Sequence, residues 1–325
     1  MKQKVFITVV VLLTVSLTAA TAFLEYACRQ YDRANLPGAT FSSDGMPIHY
    51  AEAGQGTPVI LVHGLSANLG LNWVQPGIFH ALAKKYRVVA FDLRGHAHSG
   101  KPHNPSDYGI ELVEDIVRLM DHLGIQKAHV VGYSMGGFIA LKMAVMHPER
   151  MLSVVPCGSG WTPDPDRDLA FLGTLADSIE RGEGYGPLLE RLQPLGKPVS
   201  APRRMLVAAV MSLKNDGQAI TAILRSAHQL RVTEDALRNN RLPALSLVGA
   251  RDPLKPLADQ MCAVMANIRE VVIPNADHFS TLSKPGYLAE LEKFLAANSP
   301  ATAAVNVTSS EAAIPASLFW VPAPG

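Results

Sequence analysis

The sequence predicts an α/β fold in which a mostly parallel sheet is flanked by helices and carries an inserted helical cap. Three observations support this prediction. Short apolar runs alternate with segments of helical periodicity, which is the order that builds parallel sheets. Several of these runs end in polar, glycine-rich loops, as ligand-binding strand ends do. Residues 162–240 interrupt the alternation, because they contain helical patterns but no convincing strand.

The first elements predict the edge of the sheet and its buried centre. Asp44 and Gly45 supply the positive φ angles of a tight hairpin, so residues 38–43 and 46–53 are predicted as antiparallel edge strands. Residues 58–62 are an unbroken apolar run, which predicts a strand covered on both faces, and three further segments rich in apolar residues are also predicted as strands. These strands are residues 58–62, 86–91, 128–131 and 152–156, and the helices among them are residues 79–85, 111–123 and 139–144.

Strands and helices that alternate at these lengths imply right-handed crossovers, so the strands run parallel and their carboxyl ends meet at one edge. The loops that begin at His63, Asp92 and Ser134 are therefore expected to converge on one site.

The rest of the chain predicts the cap and the end of the sheet. The core is predicted as residues 38–161 and 241–297, with residues 162–240 as the cap. Residues 298–325 are rich in Ala, Pro, Ser and Thr and are predicted to be disordered. Helical patterns cover residues 168–181, 203–213 and 218–230 of the cap, further strands are residues 243–249 and 270–273, and a last helix is residues 287–297.

The composition of the chain limits the classes of function that are expected for it. A chain of 325 residues with 48% hydrophobic content can bury a large core. Its net charge of +1 and the lack of a basic block argue against nucleic acid as a partner. The cysteines Cys28, Cys157 and Cys262 are too few and too scattered for a metal site or a disulfide framework, although one pair could form. No metal ion and no cofactor is expected.

The N-terminus has the pattern of an export signal. Lys2 and Lys4 precede the uncharged apolar residues 5–17, and Ala-Thr-Ala at residues 20–22 fits a signal peptidase site. A signal peptide in residues 1–22 predicts a secreted or periplasmic protein. The alternative is an uncleaved membrane anchor, since residues 5–24 approach the roughly 20 residues needed to cross a bilayer.

The stretch of residues 130–138 predicts a nucleophile elbow. Gly132-x-Ser134-x-Gly136 lies between a buried strand and a helical pattern, which is where a reactive serine is held on a sharp turn. A Gly-rich turn is the alternative. A serine nucleophile needs a base and an orienting acid, and Asp252 and His278 follow later strand ends in the order expected.

Five motifs between about residue 40 and residue 297 together resemble those of α/β-hydrolase-fold serine hydrolases, the esterase and lipase-like enzymes with a helical cap. The motifs are His63-Gly64, Asp92-x-Arg94-Gly95-x-x-x-Ser99, Gly132-x-Ser134-x-Gly136-Gly137, Gly249-x-x-Asp252 and Asp277-His278.

The resemblance implies a role for each catalytic group. Ser134 is implied as the nucleophile, His278 as the general base and Asp252 as its orienting acid. The backbone N–H groups of Leu65 and Met135 are implied to form the oxyanion hole. Position 97 departs from the family pattern, because Ala97 stands where relatives commonly have glycine, and this leaves the shape of that loop open.

Other residues have competing interpretations. Asp277 is adjacent to His278 and therefore poorly placed to reach the imidazole nitrogen away from the serine. His147 and His228 also follow the elbow, but neither follows a predicted strand. Trp73 and Trp161 are predicted either to line an acyl pocket or to pack in the core. Structural roles in loops are expected for His63, Asp92, Arg94 and Ser99, and His96 and His98 show no metal-ligand pattern.

The predicted function is hydrolysis of a small-molecule carboxylic ester through an acyl-enzyme. A serine at the elbow disfavours the relatives that use an aspartate nucleophile. Hydrolysis of a carbon–carbon bond in a diketone is the leading alternative, because those relatives also carry a Ser-Met-Gly-Gly elbow. Lactone or amide cleavage, acyl transfer and perhydrolysis remain open, as does a non-catalytic homologue that only binds a ligand. Membrane association is expected only through the N-terminus.

Overall fold

The computed structural model describes residues 21, 22, 24–26, 28, 29 and 36–300. Most of the predicted export segment and most of the predicted disordered tail lie outside the described residues. Within the described part, no helix combines the length and the apolar character that a membrane span requires.

The sheet has eight strands in the order β1-β2-β4-β3-β5-β6-β7-β8. The pairs β1–β2 and β2–β4 are antiparallel, and all the other neighbours are parallel. The predicted α/β class, with a mostly parallel sheet, is therefore confirmed. The strands are β1 Ala39–Ser43, β2 Met46–Ala53, β3 Pro58–Val62, β4 Arg87–Phe91, β5 Ala128–Tyr133, β6 Met151–Cys157, β7 Ala244–Gly249 and β8 Ile268–Ile273.

Helices cover both faces of this sheet, and each face packs its own hydrophobic cluster. Every residue of β5 is buried, including His129, which agrees with the central position of this strand in the sheet. From residue 36 onward the α-helices are α1 Ile78–Leu82, α2 Glu111–His122, α3 Met135–Met146, α4 Pro165–Glu180, α5 Gly186–Arg191, α6 Ala201–Lys214, α7 Gly217–Ser226, α8 Glu234–Asn239, α9 Lys255–Val264 and α10 Pro285–Asn298.

Residues 162–240 contain helices and no strand, while their separation as a domain stays a prediction. The predicted helix at residues 218–230 is shorter than expected, because α7 ends at Ser226 and a 3-10 turn, Ala227–Leu230, follows. Helix α6 has no buried residue, and Met205 is 73% exposed to solvent. Its Val207, Val210 and Met211 line a cavity, so this helix is a thin wall between the cavity and solvent.

Candidate active site

The turn between β5 and α3 holds Ser134 in a strained backbone conformation. Its φ is 53°, in the left-handed region that costs a non-glycine residue about 1–2 kcal/mol. The turn is possible because two glycines allow the chain to double back. A Cβ atom at Gly132 would lie 2.0 Å from the Gly136 oxygen, and one at Gly136 would lie 2.2 Å from the Val62 oxygen.

We predict that Gly132→Ala destabilises the fold by about 3 kcal/mol, since the added methyl group meets backbone atoms that cannot rotate away. Thermal unfolding monitored by circular dichroism measures this effect. The control is Gly173→Ala in α4, where nothing lies within 4 Å of the added atom. That change should stabilise by about 0.5–1 kcal/mol, because alanine favours a helix interior. Equal melting temperatures for the two variants would contradict the steric argument.

Ser134, His278 and Asp252 form one hydrogen-bonded series. The Ser134 hydroxyl lies 3.1 Å from His278 Nε2, and His278 Nδ1 lies 2.9 Å from Asp252 Oδ2. Asp252 is fully buried, and its second oxygen accepts a hydrogen bond from the Leu254 N–H. Because an ionised carboxylate only accepts, Nδ1 of the imidazole carries the proton and Nε2 is free to accept the serine proton.

A tyrosine that the sequence did not single out supports the histidine. The Tyr133 hydroxyl donates to the backbone carbonyl of His278, and the two rings lie 5.3 Å apart. Burial raises the pKa of Tyr133 well above its usual value, so the phenol stays a donor. Its only sequence signal is its place directly before the elbow serine.

Asp277, the competing carboxylate, points away from the imidazole. Its Oδ1 accepts from the Phe279 and Ser280 N–H groups at 3.1 and 2.9 Å and from the Ser280 hydroxyl at 2.8 Å. These contacts fix the turn after His278. The hydrogen bond of His278 Nδ1 goes to Asp252, as the sequence argument favours.

The loop after β3 is held on both sides of Leu65. The Gly64 N–H donates to Asn72 Oδ1 at 2.8 Å, and the Ser66 N–H donates to His96 Nε2 at 3.0 Å. Among the described residues, no acceptor contacts the N–H of Leu65 itself. Leu65 and Met135 line the same cavity as Ser134. The sequence analysis missed both anchors, because neither Asn72 nor His96 belongs to a catalytic motif.

Comparison with known proteins agrees with this architecture. Residues 57–178 match a sequence model of the α/β-hydrolase fold. The chain is 31% identical over 264 residues to the dihydrolipoyllysine-residue acetyltransferase component of the acetoin cleaving system of Cupriavidus necator, a match that spans 78% of this chain and 67% of that protein. The chain belongs to the α/β-hydrolase fold family.

The same component from Pseudomonas putida is 31% identical over 231 residues, which are 69% of this chain and 59% of that protein. The chain thus spans less than two thirds of that relative's length. The enol-lactonase from Burkholderia xenovorans LB400 superimposes with a TM-score of 0.65 at 24% identity, covering 79% of this chain and 100% of the lactonase. At this identity the likeness shows the α/β-hydrolase fold alone. Family membership supports the prediction of an enzyme of the hydrolase class.

In this α/β-hydrolase, the residues predicted to be structural do hold loops. The Leu93 N–H donates to His63 Nε2 at 2.9 Å, and Arg94 forms a bidentate ion pair with the buried Asp115 at 2.6 and 2.7 Å. The Ser99 hydroxyl accepts from the His49 N–H and donates to the Asp92 carbonyl. Ala97 adopts a φ of 38°, which explains why glycine suits this position.

We predict that His96→Ala lowers kcat about tenfold with KM changed by less than about twofold. Losing the acceptor for the Ser66 N–H frees the loop that carries Leu65, whose N–H is predicted to stabilise an oxyanion. A misplaced donor affects the transition state more than substrate binding. Steady-state kinetics on an ester measure both constants. His96→Gln, which keeps an acceptor, should recover part of kcat, and an unchanged kcat in His96→Ala would contradict the positioning role.

Buried histidines predict an acid-sensitive fold. Burial lowers the pKa of His96 to about 3 and that of His129 to about 4, and it also lowers the pKa of His63. In the unfolded chain the histidine pKa values are near 6.5, so at pH values between the folded and unfolded pKa the unfolded chain binds more protons than the folded chain. The free energy of unfolding therefore decreases as pH falls. For His96 and His129 this difference should cost about 2 kcal/mol each at pH 5 relative to neutral pH.

Urea unfolding at neutral pH and at pH 5 measures this loss. The substitution His129→Gln removes one titrating group at a position outside the triad. The free energy of unfolding of this variant should therefore decrease less between neutral pH and pH 5. An unfolding midpoint that does not change with pH would contradict the burial argument.

Ser134 and His278 line a cavity of about 830 Å³ that lies between the sheet and residues 162–240. Two of the charged side chains in the lining, Arg191 and Asp168, form an ion pair with each other. The Arg191 Cζ atom also lies 4.5 Å from the centroid of the Phe171 ring, over which the guanidinium stacks. The remaining lining is mostly apolar and includes Phe138, Leu141, Leu172, Leu188 and Met211.

The two tryptophans have different surroundings. Trp161 lines the cavity, and its Nε1–H donates to the Val232 carbonyl at 2.8 Å. Trp73 does not line the cavity: it is fully buried in the core cluster on one face of the sheet, which corrects the pocket interpretation for this residue. A short π-helix, Gly70–Val74, turns its side chain inward. The three cysteines are unpaired, so no disulfide forms among them.

Proposed function

We propose that this α/β-hydrolase is a serine hydrolase that cleaves carboxylic esters through an acyl-enzyme. The observation that carries the proposal is the hydrogen-bonded series from Ser134 through His278 to Asp252 at the base of an apolar cavity. Nucleophile, base and orienting acid are then within the reach that acyl transfer requires.

In the proposed reaction, Ser134 Oγ attacks the ester carbonyl carbon while His278 Nε2 takes the hydroxyl proton. The buried Asp252 carboxylate stabilises the imidazolium that forms. The N–H groups of Leu65 and Met135 donate to the oxyanion of the tetrahedral intermediate. His278 then gives its proton to the departing alcohol, and a water molecule repeats the same path to release the acid and free Ser134.

The lining of the cavity supports an uncharged substrate with an apolar acyl chain. Side chains of helices within residues 162–240 and of α3 provide the apolar wall, and Arg191 is paired with Asp168 rather than free to bind an ionic substrate. A cavity of about 830 Å³ has room for more than an acetyl group.

Carbon–carbon bond hydrolysis of a diketone is the second candidate. One observation favours it: Arg231 also lines the cavity, and its partner Asp166 is highly exposed and 3.4 Å away, so the guanidinium could bind a substrate carboxylate. The names of the two acetoin-system relatives indicate acetyl transfer. This chain covers only part of the length of each of those proteins.

A substrate panel tests these alternatives. We expect p-nitrophenyl esters of graded acyl length to be hydrolysed, with kcat/KM increasing beyond the acetyl ester because longer chains bury more apolar surface. A higher kcat/KM for a ring-cleavage diketone acid would overturn the ester assignment. Arg231→Gln separates the two candidates, since it should weaken only the turnover of the carboxylate-bearing diketone.

We also propose that the enzyme acts outside the cytoplasm, delivered or anchored by its N-terminal segment. The support is the sequence pattern of Lys2 and Lys4 before the apolar residues 5–17. Cell fractionation and N-terminal sequencing of the full-length product test this proposal. A cytoplasmic protein with an intact N-terminus would contradict it.

A further inference from the structure

A second cluster of titratable side chains lies where β2 pairs with β4, and the proposed reaction does not use it. Its members are His49 of β2, Asp92 directly after β4, and His98 in the following loop. One nitrogen or oxygen atom of each lies within 4.8 Å of the others. The sequence shows no metal-ligand spacing at His98, because its partner histidine comes from a different strand.

The separations between these atoms suit a tetrahedral metal ion. His49 Nδ1 lies 3.0 Å and His98 Nδ1 lies 3.5 Å from Asp92 Oδ2. A zinc ion with bonds of about 2.0–2.1 Å keeps its ligand atoms roughly 3.4 Å apart, and the two separations lie on either side of this value. The His98 side chain is 52% exposed, so a small rotation can bring it closer to His49 without moving the backbone.

The charge of the cluster also favours a cation. Asp92 is fully buried, and no lysine or arginine pairs with it among the described residues. Its carboxylate accepts hydrogen bonds from the Leu69 and His98 N–H groups at 3.1 and 3.3 Å, contacts that supply no full positive charge. Buried carboxylates in proteins are normally paired with a cation or coordinate a metal. A divalent ion would provide the missing charge.

We propose that His49, Asp92 and His98 bind a divalent transition metal ion, with Zn²⁺ as the expected ion and water as the fourth ligand. Two imidazoles and one carboxylate are ligands that Zn²⁺ accepts, whereas Mg²⁺ and Ca²⁺ prefer oxygen ligands alone. Both histidines ligate through an unprotonated Nδ1 and stay neutral with the proton on Nε2, so the proton that His49 Nδ1 shares with Asp92 is transferred to His49 Nε2.

The bound ion would join strand β2 to the loop after β4. That loop also carries His96, which accepts the Ser66 N–H. A bound ion would therefore also restrain the loop that carries His96, which supports the loop after β3. The proposal does not depend on the ester hydrolase activity, because its measurement is metal binding.

The test is calorimetric titration of chelator-treated, full-chain protein with ZnCl₂ near neutral pH. The matched control is His103→Ala, because His103 is a similarly exposed histidine that pairs with one carboxylate, Asp216, and has no second histidine nearby. We expect one ion per chain in the wild type and in His103→Ala, and an affinity at least about tenfold lower in His98→Ala and His49→Gln.

Two further measurements distinguish coordination of the metal ion at this specific site from nonspecific binding of the ion to the protein surface. Visible absorption of Co²⁺ added in place of Zn²⁺ should show tetrahedral coordination in the wild type and lose it in His98→Ala. Zn²⁺ should raise the melting temperature of the wild type and of His103→Ala only. No single-site binding by the wild type, or equal affinity in His98→Ala with its circular dichroism intact, would overturn the proposal.

Discussion

Ser134→Ala is expected to lower kcat/KM for the best p-nitrophenyl ester by about 10⁵-fold without changing the melting temperature by more than a few degrees. The hydroxyl that lies 3.1 Å from His278 Nε2 is the only proposed nucleophile, so its removal leaves only the oxyanion donors and substrate binding. The change also deletes no buried packing, since Ser134 is partly accessible from the cavity.

Labelling by a fluorophosphonate probe gives an independent measurement of the same group. Wild-type protein should be labelled and Ser134→Ala should not. Ser283→Ala is the matched control, because Ser283 also lines the cavity but belongs to no proposed catalytic group, and this variant should be labelled like the wild type. No labelling of the wild type would support a non-catalytic ligand-binding member of the family.

Asp252→Asn is expected to lower kcat by about 10⁴-fold with little change in KM. The amide that replaces the carboxylate can donate a hydrogen to Nδ1, which places the imidazole in the wrong tautomer and removes the charge that stabilises the imidazolium. Asp252 also caps the Leu254 N–H, a contact that the asparagine oxygen can retain. Stopped-assay kinetics over a range of ester concentrations measure kcat and KM separately.

Asp277→Asn is the paired control for this experiment. Its carboxylate bonds to the Phe279 and Ser280 N–H groups, so the change should cost about 1 kcal/mol of stability and less than about threefold in kcat. If kcat falls as much or more in Asp277→Asn than in Asp252→Asn, the role of the acid that orients His278 would be reassigned to Asp277.

Much of the site could be predicted from sequence because its chemistry is tied to local patterns. The elbow needs small residues at positions 132 and 136, where a Cβ atom would meet backbone oxygens at 2.0 and 2.2 Å, so the pattern around Ser134 is readable without a fold. Asp252 and His278 follow strand ends, which periodicity locates to within a few residues. The parallel strand order then brings these ends together.

The supporting contacts could not be predicted, since each joins segments whose proximity depends on strand order. His96 reaches the Ser66 N–H because β3 and β4 are neighbours, and the Tyr133 hydroxyl reaches the carbonyl of His278, a residue 145 positions away. Trp73 shows the same limit: periodicity cannot tell whether an aromatic side chain near a site turns toward the cavity or into the core.

The sequence alone determined the α/β class, the elbow and the order of nucleophile, acid and base, because these depend on local sterics and on hydrophobic periodicity. Only the tertiary structure decided the surroundings of those groups: the apolar cavity, the paired Arg191 and Asp168, and the cluster of His49 with Asp92 and His98. These features depend on distances between side chains that are far apart in sequence, and such distances are set by the register and packing of the whole sheet.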